Sequence, residues 1–477
     1  VLAAGLAQRG LRVVMLEEGG LYGSEAFRRL DEAWSLPSLY QERGGRATAD
    51  QAITVLQGRS VGGGTTVNWT TCFRTPDRVL AHWRSAHGVD TLAPEVLAPH
   101  FDAVEARLGI SRWDQVPPNP NNGALARGAG ALGWSWDHTR RNVRGCQDSG
   151  YCGFGCPFDA KQAMHLTYVR DALDAGATLF ADTRAERIAL DPQGRASVVH
   201  AVGMERGRDR PTAVKIEITA DRVALCGGAI NSPALLLRSG LDRGPVGRRT
   251  WLHPVVSVLG VYPDRIDGWY GAPQSVTSHQ WIDEPELGMF LEAAPVHPML
   301  AGASAAGFGA DRQRQMGSLA HTASLLAICA DGFSAGELGG TVSVRSDGRA
   351  RLDYPIGAEL ERAFRRAHER LARLHLAAGA ERVFTLHAEP VEIGSEADLS
   401  RLDAARYGAH AHRIFSAHQM GGCAMGPGGV VDAELRHHGV PNLFVVDGSV
   451  LPTSLGVNPS ETIYGIAHWA VDRVSTG

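Results

Sequence analysis

The sequence has no apolar run long enough to cross a bilayer. The longest, residues 322–330, falls far short of the roughly 20 residues a spanning helix needs, so membrane association is not indicated. Charge of one sign is also missing. With 47 Lys+Arg against 51 Asp+Glu the net charge is −4, which marks no nucleic-acid or other polyanionic partner. Cysteine is sparse: seven residues, an odd number, spread over 477 positions. That argues against a secreted disulfide framework and for a reducing, cytoplasmic setting. Internal repeats, charge blocks and low-complexity tracts are absent, and no signal peptide is visible.

What is present fits a folded chain of roughly two or three domains, with 44% hydrophobic and 21% charged residues. Glycine is abundant at 57 residues and clusters beside apolar segments, as expected where a backbone approaches a ligand closely. Residues 1–8 read as a helix, Gly10 ends it, and residues 11–16 read as a short strand with Glu17 at its C-terminal end. This is the second half of a dinucleotide-binding βαβ unit, whose acid normally holds a ribose hydroxyl about 20 residues after a Gly-rich turn. The G-x-G-x-x-G turn and first strand are therefore expected upstream of Val1, and weak FAD binding is expected of the chain without them.

Three further blocks follow. Gly58-Arg59-Ser60-Val61-Gly62-Gly63-Gly64 removes side chains where a backbone can face a flat ring or phosphates. Cys226-Gly227-Gly228, between a strand at 222–225 and a helix at 234–239, has strand–turn–helix geometry that presents N–H groups. Residues 416–463 hold His418, a buried strand closed by Asp447-Gly448, then Asn458-Pro459 and a helix. A histidine can take a proton and an amide can hold an oxygen, so His418 and Asn458 suit removal of a hydroxyl proton while a partner takes the hydride. Between these blocks, residues 253–415 carry alternating strands, a hairpin at Asp347-Gly348 and a long amphipathic helix with Leu360, Phe364, Ala367, Leu371 and Leu374 on one face. Another helix is expected over 99–108, with Pro99 in its first turn. His253, before Pro254, reads as an ordinary structural histidine, and Glu292 receives no role.

In order and spacing these blocks resemble the glucose–methanol–choline (GMC) flavoprotein oxidoreductases over nearly the whole chain. Asn68-Trp69-Thr70-Thr71 and the cysteine-rich loop are similar to the long-chain alcohol oxidase and dehydrogenase branch. The resemblance implies an α/β fold: a discontinuous Rossmann-like FAD-binding domain with a second α+β domain built on an antiparallel sheet. The expected parts are 1–75, 156–252 and 416–477 for the FAD domain, 76–155 for a cap insertion and 253–415 for the substrate domain. It further implies FAD as cofactor, contacted by Glu17, Arg59, Gly62, Gly63, Asn68, Asp447, Gly448, Asn458, Pro459 and Thr462. His418 is expected as general base with Asn458 as its partner. The expected reaction is oxidation of an aliphatic or aromatic primary alcohol, with oxygen or another electron acceptor reoxidising the flavin. A hydroxynitrile lyase of the same fold is the alternative.

Cys146, Cys152 and Cys156 add a second alternative. Their C-x5-C-x3-C spacing is that of three thiolates able to hold a [3Fe–4S] cluster and relay electrons from the flavin, while three buried thiols in a glycine-rich loop also serve as small packing residues.

Overall fold

A computed structural model describes residues 1–305, 307–334 and 336–476. The chain builds two bodies around one long cavity. The first is Rossmann-like. The helix Leu2–Gln8 leads into the strand Val14–Leu16, which pairs in parallel with Thr178–Phe180, and Val223–Leu225 pairs in parallel with Leu443–Val445. Parallel partners far apart in sequence require long crossovers, which is why this body is assembled from separate stretches of chain. Helices Gly228–Arg238 and Ser460–Thr476 cover it, burying Leu235, Leu236, Ile466 and Val471 with Leu6 and Val445 in one core. A three-stranded antiparallel meander, Thr183–Leu190, Ala196–Met204 and Pro211–Thr219, is attached.

The second body is α+β. Its nine-stranded sheet runs Ile53–Val55, Ile414–Ser416, Val255–Val261, Thr322–Cys329, Met289–Ala293, Val276–Trp281 and Asp137–His138, with Arg382–Thr385 and Glu392–Ile393 branching from Val255–Val261. All pairings are antiparallel except Ile53–Val55 with Ile414–Ser416. The central strands are apolar at successive positions because both faces are covered. One face takes the helix Ala358–Ala377, whose Leu360, Phe364, Ala367, Leu371 and Leu374 are buried at helical spacing, with Pro120–Leu132 beside it. The other face carries Val255, Phe290, Leu326 and Ile328.

Two helices depart from the sequence reading. The helix expected over 99–108 runs Pro94–Leu108, with Pro94 in the first turn and Pro99 inside. Pro99 removes one backbone donor, yet the helix continues because Leu97, Phe101, Val104 and Leu108 form a buried face, much of it against Ser460–Thr476. The helix expected over 234–239 begins at Gly228 and carries Pro233 internally. Among the described residues, no helix is long and apolar enough to cross a membrane.

Candidate active site

A cavity of about 1750 Å³ runs along the Rossmann-like body and ends on the antiparallel sheet. Of the residues singled out from sequence, Glu17, Gly62, Gly63, Asn68, His418, Asp447, Gly448, Asn458 and Pro459 line it. Two do not. The Arg59 guanidinium is buried on Glu18 Oε1 (3.3 Å) and the Arg208 carbonyl (2.9 Å). Thr462 is fully buried with its hydroxyl 2.9 Å from that of Thr75.

At the nucleotide end the wall is mainly backbone. Gly63 has φ +55°, and a Cβ there would meet nothing within 4 Å, so the chain presents bare backbone to open space. The Glu17 carboxylate accepts the Gly19 N–H (2.7 Å), and burial raises its pKa to about 8. Asp447 Oδ2 accepts the Gly228 N–H (2.8 Å) and the Ser232 hydroxyl (2.6 Å), while Oδ1 accepts the Ser449 N–H (2.8 Å). The Gly228 N–H, read from sequence as available to a ligand, is thus spent on joining two turns. Lys161 organises the glycine loop from behind. Its fully buried ammonium donates to the carbonyls of Thr66 (2.6 Å), Asn68 (3.0 Å) and Cys152 (2.7 Å), and burial lowers its pKa to about 8.

That last contact bears on the cysteine loop. The proposed [3Fe–4S] site at Cys146, Cys152 and Cys156 is overturned: among the described residues no group of three or more His, Cys, Asp or Glu side chains is placed to hold a metal. The loop instead turns its carbonyls inward. Gly153 accepts from the Tyr40 hydroxyl (2.6 Å) and Cys152 from Lys161, while Phe154 packs on Phe27 and Leu39. Cys146 lies 3.8 Å from Asp148 Oδ1, Cys152 is a buried free thiol and Cys156 is half-buried.

At the sheet end the wall is made of side chains. His418 Nε2 lies 3.4 Å from Asn458 Nδ2, which donates to Glu292 Oε2 (3.4 Å). Gln274 also donates to Glu292 Oε2, and its own carbonyl accepts from the Thr71 hydroxyl (2.9 Å). Behind His418, His253 Nδ1 lies 3.2 Å from His418 Nδ1. Burial lowers the pKa of His418 to about 4, so its imidazole is neutral, and raises that of Glu292 to about 8. Three buried oxygens, Asn68 Oδ1, Asn458 Oδ1 and Glu292 Oε1, have no partner. Val255, Leu326, Ile328, Phe415 and Trp69 add an apolar wall beside the polar cluster.

Sequence reasoning did not place His253 and Glu292 in this cluster. The legible signal for Glu292 was a lone acid inside an apolar strand, Met289–Ala293; for His253 the residues nearby gave none.

A Rossmann-like domain whose cavity ends on a separate antiparallel sheet, with His418 and Asn458 in loops at that end, is an arrangement suited to a flavin-dependent oxidoreductase. Residues 36–255 and 339–467 match the N-terminal and C-terminal models of the GMC oxidoreductase family. A GMC-type oxidoreductase of uncharacterised activity from Mycobacterium tuberculosis is 32% identical over 99% of this chain and 73% of its own length. The chain belongs to this family and is an FAD-dependent oxidoreductase acting on CH–OH groups. A long-chain-alcohol oxidase of Arabidopsis thaliana is 30% identical, with this chain spanning 65% of its length. Among solved structures, pyridoxine 4-oxidase from Mesorbium loti has the same fold at 20% identity (TM-score 0.71, covering 100% of this chain and 97% of the other). So does an Aspergillus oryzae formate oxidase at 14% identity (TM-score 0.73, covering 100% and 96%). The unpartnered Asn68 Oδ1 and Asn458 Oδ1 and the open face of Gly63 fit a flavin in this cavity.

Proposed function

We propose that the chain oxidises an aliphatic or aromatic primary alcohol to the carbonyl, with His418 and Asn458 at the reacting hydroxyl. The observation that carries this reading is the side-by-side placement of His418 Nε2 and the Asn458 amide on a cavity wall otherwise built from Val255, Leu326, Ile328 and Phe415. A hydroxyl bound there meets polar atoms while its carbon chain meets apolar ones. The likeness to a plant long-chain-alcohol oxidase supports the same substrate class.

Glu17, Gly62, Gly63, Asn68, Asp447, Gly448 and Pro459 are the residues that would hold FAD. FAD supplies the hydride acceptor, and oxygen or another electron acceptor regenerates it. The protein must hold the oxygen and take its proton, since the alcohol becomes a carbonyl only if the hydroxyl proton leaves with the hydride. Two groups in the cluster can store a proton: the neutral imidazole of His418 and the carboxyl of Glu292.

The test is anaerobic mixing of the FAD-loaded protein with fatty, aryl, sterol and sugar alcohols. Bleaching of the flavin by the fatty or aryl members is expected. A flavin that stays oxidised with every alcohol, while cyanohydrins are cleaved, would replace this reading with that of a lyase.

A further inference from the structure

The first turn of the helix Ser460–Thr476 carries a buried acid that the cluster around His418 does not use. Glu461 is fully buried, and neither of its carboxyl oxygens receives a hydrogen from a donor group. Beside it, within hydrogen-bonding reach, stands Glu105 of the helix Pro94–Leu108. Glu105 takes the guanidinium hydrogens at this place. Its Oε1 accepts from Arg74 Nε (2.6 Å) and Arg140 Nη1 (2.7 Å), and its Oε2 from Arg140 Nη2 (2.7 Å). The remaining end of Arg74 goes to Asp102.

A carboxylate buried away from every donor is costly, so Glu461 keeps its hydrogen. Glu105 has the opposite surroundings. A carboxylate accepts at about four positions; three are filled by guanidinium, and one is left for the Glu461 hydroxyl. The two acids thus share one proton, carried by Glu461 and bonded to Glu105. Burial first, then the Glu105 carboxylate, raise the pKa of Glu461 to about 8. Against burial, Arg74 and Arg140 hold Glu105 below the ordinary carboxylate range. Also facing Glu461 are the Cys72 thiol and, on its own helix, the Tyr464 hydroxyl. Burial raises both, so neither adds charge.

The bond sits where the cavity wall begins. Asn458 and Pro459, immediately before this helix, line the cavity. Asn68 Nδ2 donates to Ser460 Oγ (3.5 Å), and the Thr462 hydroxyl lies 2.9 Å from that of Thr75. The chain at 458–462 is therefore pinned from both sides, by the glycine loop and by the carboxyl pair. An acid paired with arginine would hold at any neutral or alkaline pH; a carboxyl pair holds only while its proton is present.

We propose that Glu461 is a positioning residue, kept as the un-ionised acid, whose hydrogen bond to Glu105 holds the start of the last helix and with it Asn458 and Pro459 against the cavity. The proposal goes beyond the alcohol reading and holds whichever substrate is oxidised.

Infrared spectra of the unmodified protein minus Glu461→Gln read the proton directly, without FAD or substrate. At about pH 6 the difference should carry the carbonyl band of an un-ionised carboxyl, giving way to carboxylate bands as pH rises through about 8. Carboxylate bands alone at about pH 6 overturn the proposal. Hydrogen exchange of the peptide spanning 456–464 reads the positioning. At about pH 6 Glu461→Ala should exchange about tenfold faster there, whereas Glu461→Gln, which offers Glu105 an N–H instead, should match the unmodified protein. The tie is complete in acid and is lost as pH rises through about 8. By about pH 9 the unmodified protein should therefore exchange about tenfold faster than Glu461→Gln. Glu17 and Glu292 lose protons in the same range in both proteins, so the comparison isolates Glu461. Parallel pH profiles for the two overturn the proposal, and this test stands even if Glu461→Ala fails to fold. FAD affinity should follow the same order; equal affinity in the Gln and Ala variants overturns the link to the cavity.

Discussion

The two ends of the cavity are built from different material. The nucleotide end is backbone, shaped by glycines and tied from behind by Asp447 and Lys161. The catalytic end is side chains, brought by strands and loops at 253, 274, 292, 418 and 458 into one hydrogen-bonded cluster. Stability and reactivity should therefore separate. Damage at the nucleotide end should unfold the loop and lose FAD, whereas damage at the catalytic end should lose rate in a protein that still folds.

The largest expected effect comes from Lys161→Met, which leaves three inward carbonyls without a donor. It should cost about 3–5 kcal/mol of stability and lower FAD loading, read by urea unfolding and flavin absorbance. A variant that keeps full stability and FAD would show that the loop does not depend on its rear tie. Next, His418→Ala should slow flavin reduction about a thousandfold with little change in melting temperature; a large drop in melting temperature would make the catalytic cluster structural. Asn458→Ala should cost about a hundredfold in rate, smaller because an amide orients the oxygen but takes no proton. The smallest effect is a control far from both ends. Tyr262→Phe removes the hydroxyl 2.9 Å from His375 Nδ1 and should cost about 1 kcal/mol with an unchanged reduction rate.

The same contrast explains what was legible in the sequence. Gly62, Gly63, Glu17 and Asp447 stand in short runs whose local geometry dictates their surroundings, so spacing sufficed to bring them to the cavity. His418 and Asn458 stood out because each sits in a run of this kind. Arg59 and Thr462 were drawn in by their neighbours, but their side chains turn away, to Glu18 and Thr75. His253 and Glu292 join the cluster through contacts between residues far apart in the chain, which sequence order does not reveal. The cysteines err the other way: spacing suggested a shared metal site, and among the described residues no such group forms. In the fold, alternation marked 253–415 as strand-rich, with the hairpin at Asp347-Gly348 joining Gly340–Val344 to Ala350–Asp353. The internal prolines hid the true starts of Pro94–Leu108 and Gly228–Arg238, because buried faces outweigh one missing backbone bond.

The three-carbonyl grip on Lys161 has a practical consequence for labelling. The sequence contains two lysines, Lys161 and Lys215. Lys161 is 2% exposed, whereas the Lys215 side chain is 72% exposed on the strand Pro211–Thr219. Of these two lysines, amine-directed dyes and tethers should therefore react at Lys215 and spare Lys161.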